Sequence, residues 1–362
     1  MISVVKILIA PDKFKGSLGG RVVAEAIGAG IRDVIPAAEI RLLPVADGGE
    51  GTADVICAAA AGVWHECAVH DPLGRLVVAR YCTIDGGATA VMEMSQASGL
   101  WRLREDERDP LVASSYGTGE MLLDAGRRGA KEILIGLGGS ATNDGGFGLA
   151  RALGFRFEDA HRRELPPFPV ELLRLARIAP PAQLQLPAIA AAVDVRNPLL
   201  GERGATHVFG LQKGAKSEDL ELLERALARL ADVAGEAGTD VREVAGSGAA
   251  GGLAFALLSF CHAEIGSGFE VIAERIGLAA AIQDADVVIT GEGRLDAQTL
   301  EGKAPAGVAK LARAAGRKVF AVVGETTGEA DELFDAVLVV GSIEDAASLL
   351  RQRGRELAQL LR

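Results

Sequence analysis

Apolar and polar positions follow two rhythms along the chain. Val4 to Ala10 is apolar apart from Lys6, a run that reads as a parallel strand covered on both faces. Val22, Val23, Ala26 and Ile27 then recur at helical spacing, which predicts a helix from Leu18 to about Arg32 capped by Ser17. "EIRLLPV" (Glu39 to Val45) predicts a second strand, and "ADGGEGT" leads into a helix from Thr52 to about Ala61. The chain therefore opens as strand, helix, strand, helix.

Its other end repeats the rhythm. "ADVVIT" (Ala285 to Thr290) predicts a strand, "GEGRLDAQTLEGK" a loop, and Pro305 to Ala315 a helix. "KVFAVVGE" and "AVLVVGS" are two more strands, and a last helix runs from about Ile343 to Leu361. The middle differs: short strands over 67–85 with a turn at "DPLGR", then "ATAVMEMS", "KEILIGLGGS" and "AIAAAVDV" (Ala188 to Val195) as strands. A helix is expected near Gly146 to Leu153. The proline-rich stretch from Glu164 to Pro187 reads as irregular, and Lys216 to Gly238 as an amphipathic helix with Leu220, Leu223, Leu227 and Leu230 on one side.

The simplest assembly is α/β. Both chain ends, 1–65 and 285–362, build a doubly wound parallel-sheet domain, and a second mixed α/β domain, 66–284, is inserted between them. A chain of 362 residues is long for a single core, which agrees with two domains.

Composition narrows the function. Aromatic residues are 4% of the chain while glycines number 46, so aliphatic side chains fill the core and the backbone turns tightly or approaches ligands closely at many points. A net charge of −11 argues against a nucleic-acid partner, though not against a local basic site for a small anion. No apolar run is long enough for a membrane span, and no secretory signal is expected at the start. Cys57, Cys67, Cys82 and Cys261 show no metal-like spacing and are expected as free thiols in a cytoplasmic protein. Nothing in the sequence speaks to oligomeric state.

Candidate chemistry gathers in loops that follow strands, where open parallel sheets bind ligands. "PDKFKGSL" places Lys13, Lys15, Gly16 and Ser17 before a helix, an arrangement that suits an anion and equally a solvated surface loop. In "VADGGEGTAD", Asp47 and Glu50 offer carboxylates for magnesium or for base catalysis, although such glycine pairs also make ordinary turns. "TGEGRLDAQTLEGKAP" mixes Glu292, Asp296 and Glu301 with Arg294 and Lys303, which fits a phosphate with a cation or internal ion pairs.

The densest signal is "GLGGSATNDGGFG" (Gly136 to Gly148), with six glycines plus Ser140, Thr142, Asn143 and Asp144 between a strand and a helix. Its backbone N–H groups can cradle phosphate. It is not a P-loop, and its match to a dinucleotide fingerprint is weak on its own. "VDVRNPLLGERGATHVFGLQKGA" adds Asp194, Asn197 and Lys213. None of the five histidines falls at the centre of these loops, and no nucleophile elbow occurs. Glycine loops, lysines and carboxylates without a nucleophile suit phosphoryl transfer.

These blocks, in this order, resemble the bacterial glycerate kinases that lack a Walker motif. The resemblance covers nearly the whole chain: "IAPDKFKGSL", "ADGGEGTAD", "EMSQASGL", "SSYGTGE", "IGLGGSATNDGGFGLARALG", "DVRNPLLGERGA", "GLQKGA", "GAAGGLAF" and "TGEGRLDAQTLEGKAPAGVA". It implies a flavodoxin-like domain with an inserted α/β domain, and ATP- and Mg²⁺-dependent phosphorylation of D-glycerate, usually to 2-phosphoglycerate. The chain departs from the family pattern at Lys13, at Gly19 and Gly20 (where Ser-Ala is usual), and at Asp109, Val193 and Leu211.

The expected arrangement follows. Lys15, Ser17, Asp47, Asn197 and Arg294 bind glycerate; Gly138, Gly139, Ser140, Thr142, Asn143, Gly145, Lys213 and Lys303 bind ATP. Asp194, Lys15 and Asp47 are the catalytic candidates, with Asp194 preferred as base, and Asp194 and Glu292 are the metal candidates. Alternatives are phosphorylation at the 3-hydroxyl, another small hydroxy acid as acceptor, or a non-catalytic binder of a phosphorylated metabolite; a nicotinamide-dependent oxidoreductase is a weaker rival.

Overall fold

A computed structural model describes residues 4–14, 17–236, 240–300, 303–341 and 345–362. The chain divides into two compact units. One comprises Met1–Asp47, Asp54–Ala59 and Phe269–Arg362; the other comprises Gly48–Ala53 and Ala60–Gly268.

In the first unit, five parallel strands lie in the order Ala336–Val339, Lys318–Val323, Val287–Thr290, Lys6–Ile9, Glu39–Leu42. This is the flavodoxin-like order, in which the connection reverses direction between the first and third strands. Those two strands are Lys6–Ile9 and Val287–Thr290, neighbours in register with Ile7 opposite Val287. Successive side chains face opposite ways along a strand. Ile7, Ile9, Val287 and Ile289 join one buried cluster with Val23, Ile27, Ile31, Leu350 and Leu357 from the helices Gly20–Val34 and Ala346–Leu360. Each such buried aliphatic side chain contributes about 1.5–3 kcal/mol.

The first helix starts at Gly20, not at Leu18, and Ser17 is not its cap. Phe14 N donates to Leu18 O and Leu18 N to Phe14 O, which uses up the backbone needed for an earlier start. Gly19 takes the cap position with no side-chain hydrogen bond, as the Gly19–Gly20 pair dictates. The loop after Thr290 is more ordered than its sequence suggests. Arg294–Leu295 pairs with Glu325–Thr326, and Ala297–Leu300 forms a short helix.

The second unit holds a six-stranded sheet ordered Glu264–Ser267, Ala188–Val193, Glu132–Gly136, Thr89–Glu93, Leu76–Ile84, Val63–His70. The first four strands are parallel, and the last two continue the sheet antiparallel. All four parallel strands therefore point their carboxyl ends to one edge, where "EMSQASGL", "GLGGSATNDGG" and "DVRNP" begin. The helix Ser217–Gly235 buries Leu223, Leu227 and Leu230, and Lys216 N donates to Asp219 Oδ2 (2.8 Å) at its start. The cysteines are free thiols. Among the described residues no helix is long and apolar enough to cross a membrane.

Candidate active site

In the first unit the polar residues collect where the strand order reverses. The backbone ladder runs on past the strands: Ala10 N donates to Ile289 O (2.7 Å) and Asp12 N to Gly291 O (2.8 Å). Thr290 Oγ1 donates to Ala10 O (2.8 Å), and Val45 N to Pro11 O (3.0 Å). These bonds hold Asp12 at the mouth of the sheet, and Asp12 is only 7% exposed. Burial pushes its carboxyl up to about 7, Asp47 and Glu292 add to the rise, and Lys13 opposes it. Lys13 N donates to Asp12 Oδ1 at 2.7 Å.

Glu292 leaves the neighbouring strand and is equally buried. Thr299 Oγ1 donates to its Oε1 at 2.7 Å. Burial pushes Glu292 up to about 7, against Thr299 and Lys303, while Asp296 and Asp47 reinforce the rise. Lys303 and Arg294 both approach Asp296, at 3.5 and 3.3 Å, and Arg294 also pairs with Glu325 at 3.2 Å. Buried hard oxygens whose desolvation outweighs the neighbouring lysines fit a magnesium ion. Among the described residues no group of three or more Asp, Glu, His or Cys side chains forms a metal cage. Magnesium does not require one, since it takes one or two carboxylates with phosphate and water oxygens. Ser17 sits in an exposed turn, its N donating to Phe14 O (2.9 Å), and Lys15 lies outside the described residues.

In the second unit the glycine loop after Gly136 runs from surface to interior. Gly139 is exposed with φ +72°, Gly138 is half-buried, and Ser140 is bridged to Gly99. Leu100 N donates to Gly139 O (2.8 Å) and Ala141 N to Ser98 O (2.9 Å), so "EMSQASGL" braces this turn. Thr142, Asn143 and Asp144 then point inward and are buried. Asp144 accepts from Ser115 N, Ser115 Oγ, Gly146 N and Gly148 N at 2.7–3.0 Å. It is the fastening of the loop.

Several residues expected at the nucleotide stand beneath the loop instead. Lys213 is buried, and its Nζ donates to Thr142 O (2.7 Å). Burial pushes its ammonium down to about 7, with Asp144 opposing. A Cβ on Gly145 would lie 2.5 Å from Leu230 Cδ2, so helix packing itself requires this glycine. Asn143 Nδ2 donates to Thr206 Oγ1 (3.0 Å). Asn143 Oδ1, Thr142 Oγ1 and Ser95 Oγ are buried with no hydrogen-bond partner. An exposed glycine backbone beside the orphaned Ser95 hydroxyl fits a ligand rich in oxygen.

Asp194 is exposed at the end of Ala188–Val193. Asn197 is committed to the fold: its Nδ2 donates to Arg203 O (2.7 Å) and its O accepts from Gly248 N (3.0 Å). Asp12, Glu93 and Ser95 are not among the residues that the sequence singles out. Glu93 did carry a signal, being a charged residue closing the buried run Thr89–Glu93.

A flavodoxin-like sheet with buried carboxyls at its switch point, and a separate sheet edge carrying a glycine loop, define an α/β phosphotransferase. A profile of the glycerate kinase family matches residues 7–362. The chain is 42% identical over 369 residues to the glycerate kinase of Bacillus subtilis (strain 168), covering 98% of this chain and 97% of that protein. It is 41% identical over 353 residues to the glycerate 2-kinase of Escherichia coli (strain K12), covering 94% and 93%. A crystal structure named as glycerate kinase 2 from Salmonella typhimurium LT2 superposes with a TM-score of 0.89 at 41% identity, covering 99% of this chain and 98% of that one. The chain belongs to the glycerate kinase family and is a kinase.

Proposed function

We propose that the enzyme uses ATP with Mg²⁺ to phosphorylate the 2-hydroxyl of D-glycerate, giving 2-phosphoglycerate. Phosphoryl transfer is supported by the buried carboxyls Asp12 and Glu292 at the switch point, whose burial calls for a cation. The choice of acceptor and hydroxyl is supported by the end-to-end likeness to a relative named glycerate 2-kinase.

Bound magnesium supplies positive charge to the phosphates of ATP, which carries the transferred group. Glu292 and Asp12 would hold the cation, and Asp47 would add negative charge beside them. The backbone of Gly138, Gly139 and Ser140 faces the phosphates, and Lys213, Thr142 and Asn143 support that turn from inside. Lys303 adds positive charge. Lys15 and Arg294 attract the carboxylate of glycerate; Ser17 and Asn197 border it. The acceptor hydroxyl gives its proton to Asp194 as its oxygen bonds to the γ-phosphorus and ADP leaves. Free thiols suit a reducing compartment, and the proposed setting is the cytoplasm.

A coupled assay of ADP release with D-glycerate and Mg²⁺ tests the activity, and NMR of the product tests the position. Formation of 3-phosphoglycerate overturns the assigned hydroxyl. Saturable binding of glycerate and nucleotide without ADP release overturns the reaction.

A further inference from the structure

Inside the second unit, a short segment from early in the sequence lies on the carboxyl edge of the parallel strands. A Cβ on Gly136 would stand 2.5 Å from Gly48 O, and a Cβ on Gly138 would stand 2.6 Å from Gly49 Cα. Gly48, at φ +101°, has Ala192 O and Gly268 Cα each 3.1 Å from its own Cβ position. The Gly48–Gly49 backbone thus lies directly on the backbone of three strand ends. No side chain can enter these contacts, so they do not by themselves fix the segment.

The remaining parallel strand supplies the fastening. Glu93 closes Thr89–Glu93 and is 5% exposed. Its Oε1 accepts from Gly51 N and from Ala53 N, both at 3.0 Å, at the start of the helix Thr52–Ala59. Thr52 turns its Oγ1 to Gly49 O (2.7 Å). The N–H groups of Gly51 and Ala53 at this helix start are therefore satisfied from within the protein. Two residues beyond Glu93, the orphaned and buried Ser95 Oγ adjoins the same loop, with Ser95 Cβ 3.7 Å from the Cβ position of Gly139.

We propose that Glu93 is a positioning residue for the nucleotide: it locks the Gly48–Ala53 segment onto the Gly136–Ser140 turn, so that two glycine segments distant in sequence form one backbone platform. The inference rests on the reading of Gly138–Ser140 as phosphate-binding. It assigns to the "ADGGEG" segment a second task beside that of Asp47.

The test combines Glu93→Ala, Glu93→Gln and Gly138→Ala in the full chain. Glu93→Ala is expected to weaken ADP binding, read by calorimetry, by tenfold or more, and to raise KM for ATP by a similar factor. In the same variant KM for D-glycerate changes less than threefold. Glu93→Gln keeps the acceptor oxygen and restores ADP affinity to within threefold. Gly138→Ala, which presses on Gly49, reproduces the Glu93→Ala defect. ADP affinity unchanged in Glu93→Ala, or a uniform loss for both substrates that Glu93→Gln does not rescue, overturns the proposal. Wild-type protein that binds ADP but leaves D-glycerate untouched removes the assigned acceptor and leaves this inference to be decided by the ADP titrations. Wild-type protein that binds no ADP overturns the inference together with the nucleotide reading.

Discussion

The Lys213 ammonium nitrogen lies 2.7 Å from the carbonyl oxygen of Thr142, and the lysine is only 2% exposed. A buried cation thus acts on the backbone of the glycine loop and not on open solvent. Lys213→Met removes that anchor while filling much of the same volume. KM for ATP is expected to rise about tenfold, the range of one lost charge-assisted hydrogen bond. The sign of the pH effect follows from the downward shift to about 7. The stabilising contribution of Lys213 is present above its ordinary value and is lost as pH falls through about 7. Thermal melts should therefore show wild type gaining on Lys213→Met from pH 7 to pH 10; a constant gap contradicts the burial argument.

Glu292 has the opposite sign. Its carboxyl is pushed up to about 7, so its contribution is present below the ordinary carboxyl range and is lost as pH rises through about 7. Glu292→Gln should be more stable than wild type at pH 8, by about 2 kcal/mol, and gain nothing at pH 4. Added Mg²⁺ should raise the melting temperature of wild type at pH 8 and leave that of Glu292→Gln nearly unmoved. Equal shifts in both proteins would place the cation elsewhere.

Asp144 gathers hydrogen bonds from Ser115, Gly146 and Gly148 in a buried site. Asp144→Ala strands these donors and should cost about 3–5 kcal/mol in urea unfolding. A loss below about 1 kcal/mol would show that the loop is fastened by something other than this carboxylate.

Asp194 tests the chemistry. It is exposed, so Asp194→Asn should leave the melting temperature within a degree or two of wild type, as surface substitutions do. If Asp194 takes the hydroxyl proton, kcat falls by about 10²–10⁴. A variant with near-normal kcat moves the base to another carboxylate, and Asp47 is the next to replace.

Much of the architecture was legible because burial on both faces writes itself as apolar runs. Lys6–Ile9, Glu132–Gly136 and Val287–Thr290 all sit inside stretches read as strands. The glycine loop after Gly136 was legible as well. What sequence could not show was which of its polar residues face inward. Thr142, Asn143 and Lys213 look like ligand-binding side chains until the helices packed around them are seen, and Gly145 looks like a phosphate turn until Leu230 is placed against it. Ser17 looked like a cap because local rules favour serine; the Phe14–Leu18 bridge and the glycine pair after it prevail. Glu93 was invisible as a cap because its acceptors' partners lie 40 and 42 residues away in sequence.

The central pair of the five-stranded sheet, Lys6–Ile9 and Val287–Thr290, has a consequence for how the protein is made. During translation the opening strands leave the ribosome long before their neighbour exists. At roughly 5–20 residues per second, the wait is on the order of ten seconds or more. Throughout that interval the apolar edge of Lys6–Ile9 is exposed to other nascent chains. Early synthesis is therefore when this enzyme most needs a chaperone, and cells short of holdase capacity should lose it to aggregates before they lose single-sheet proteins of equal length.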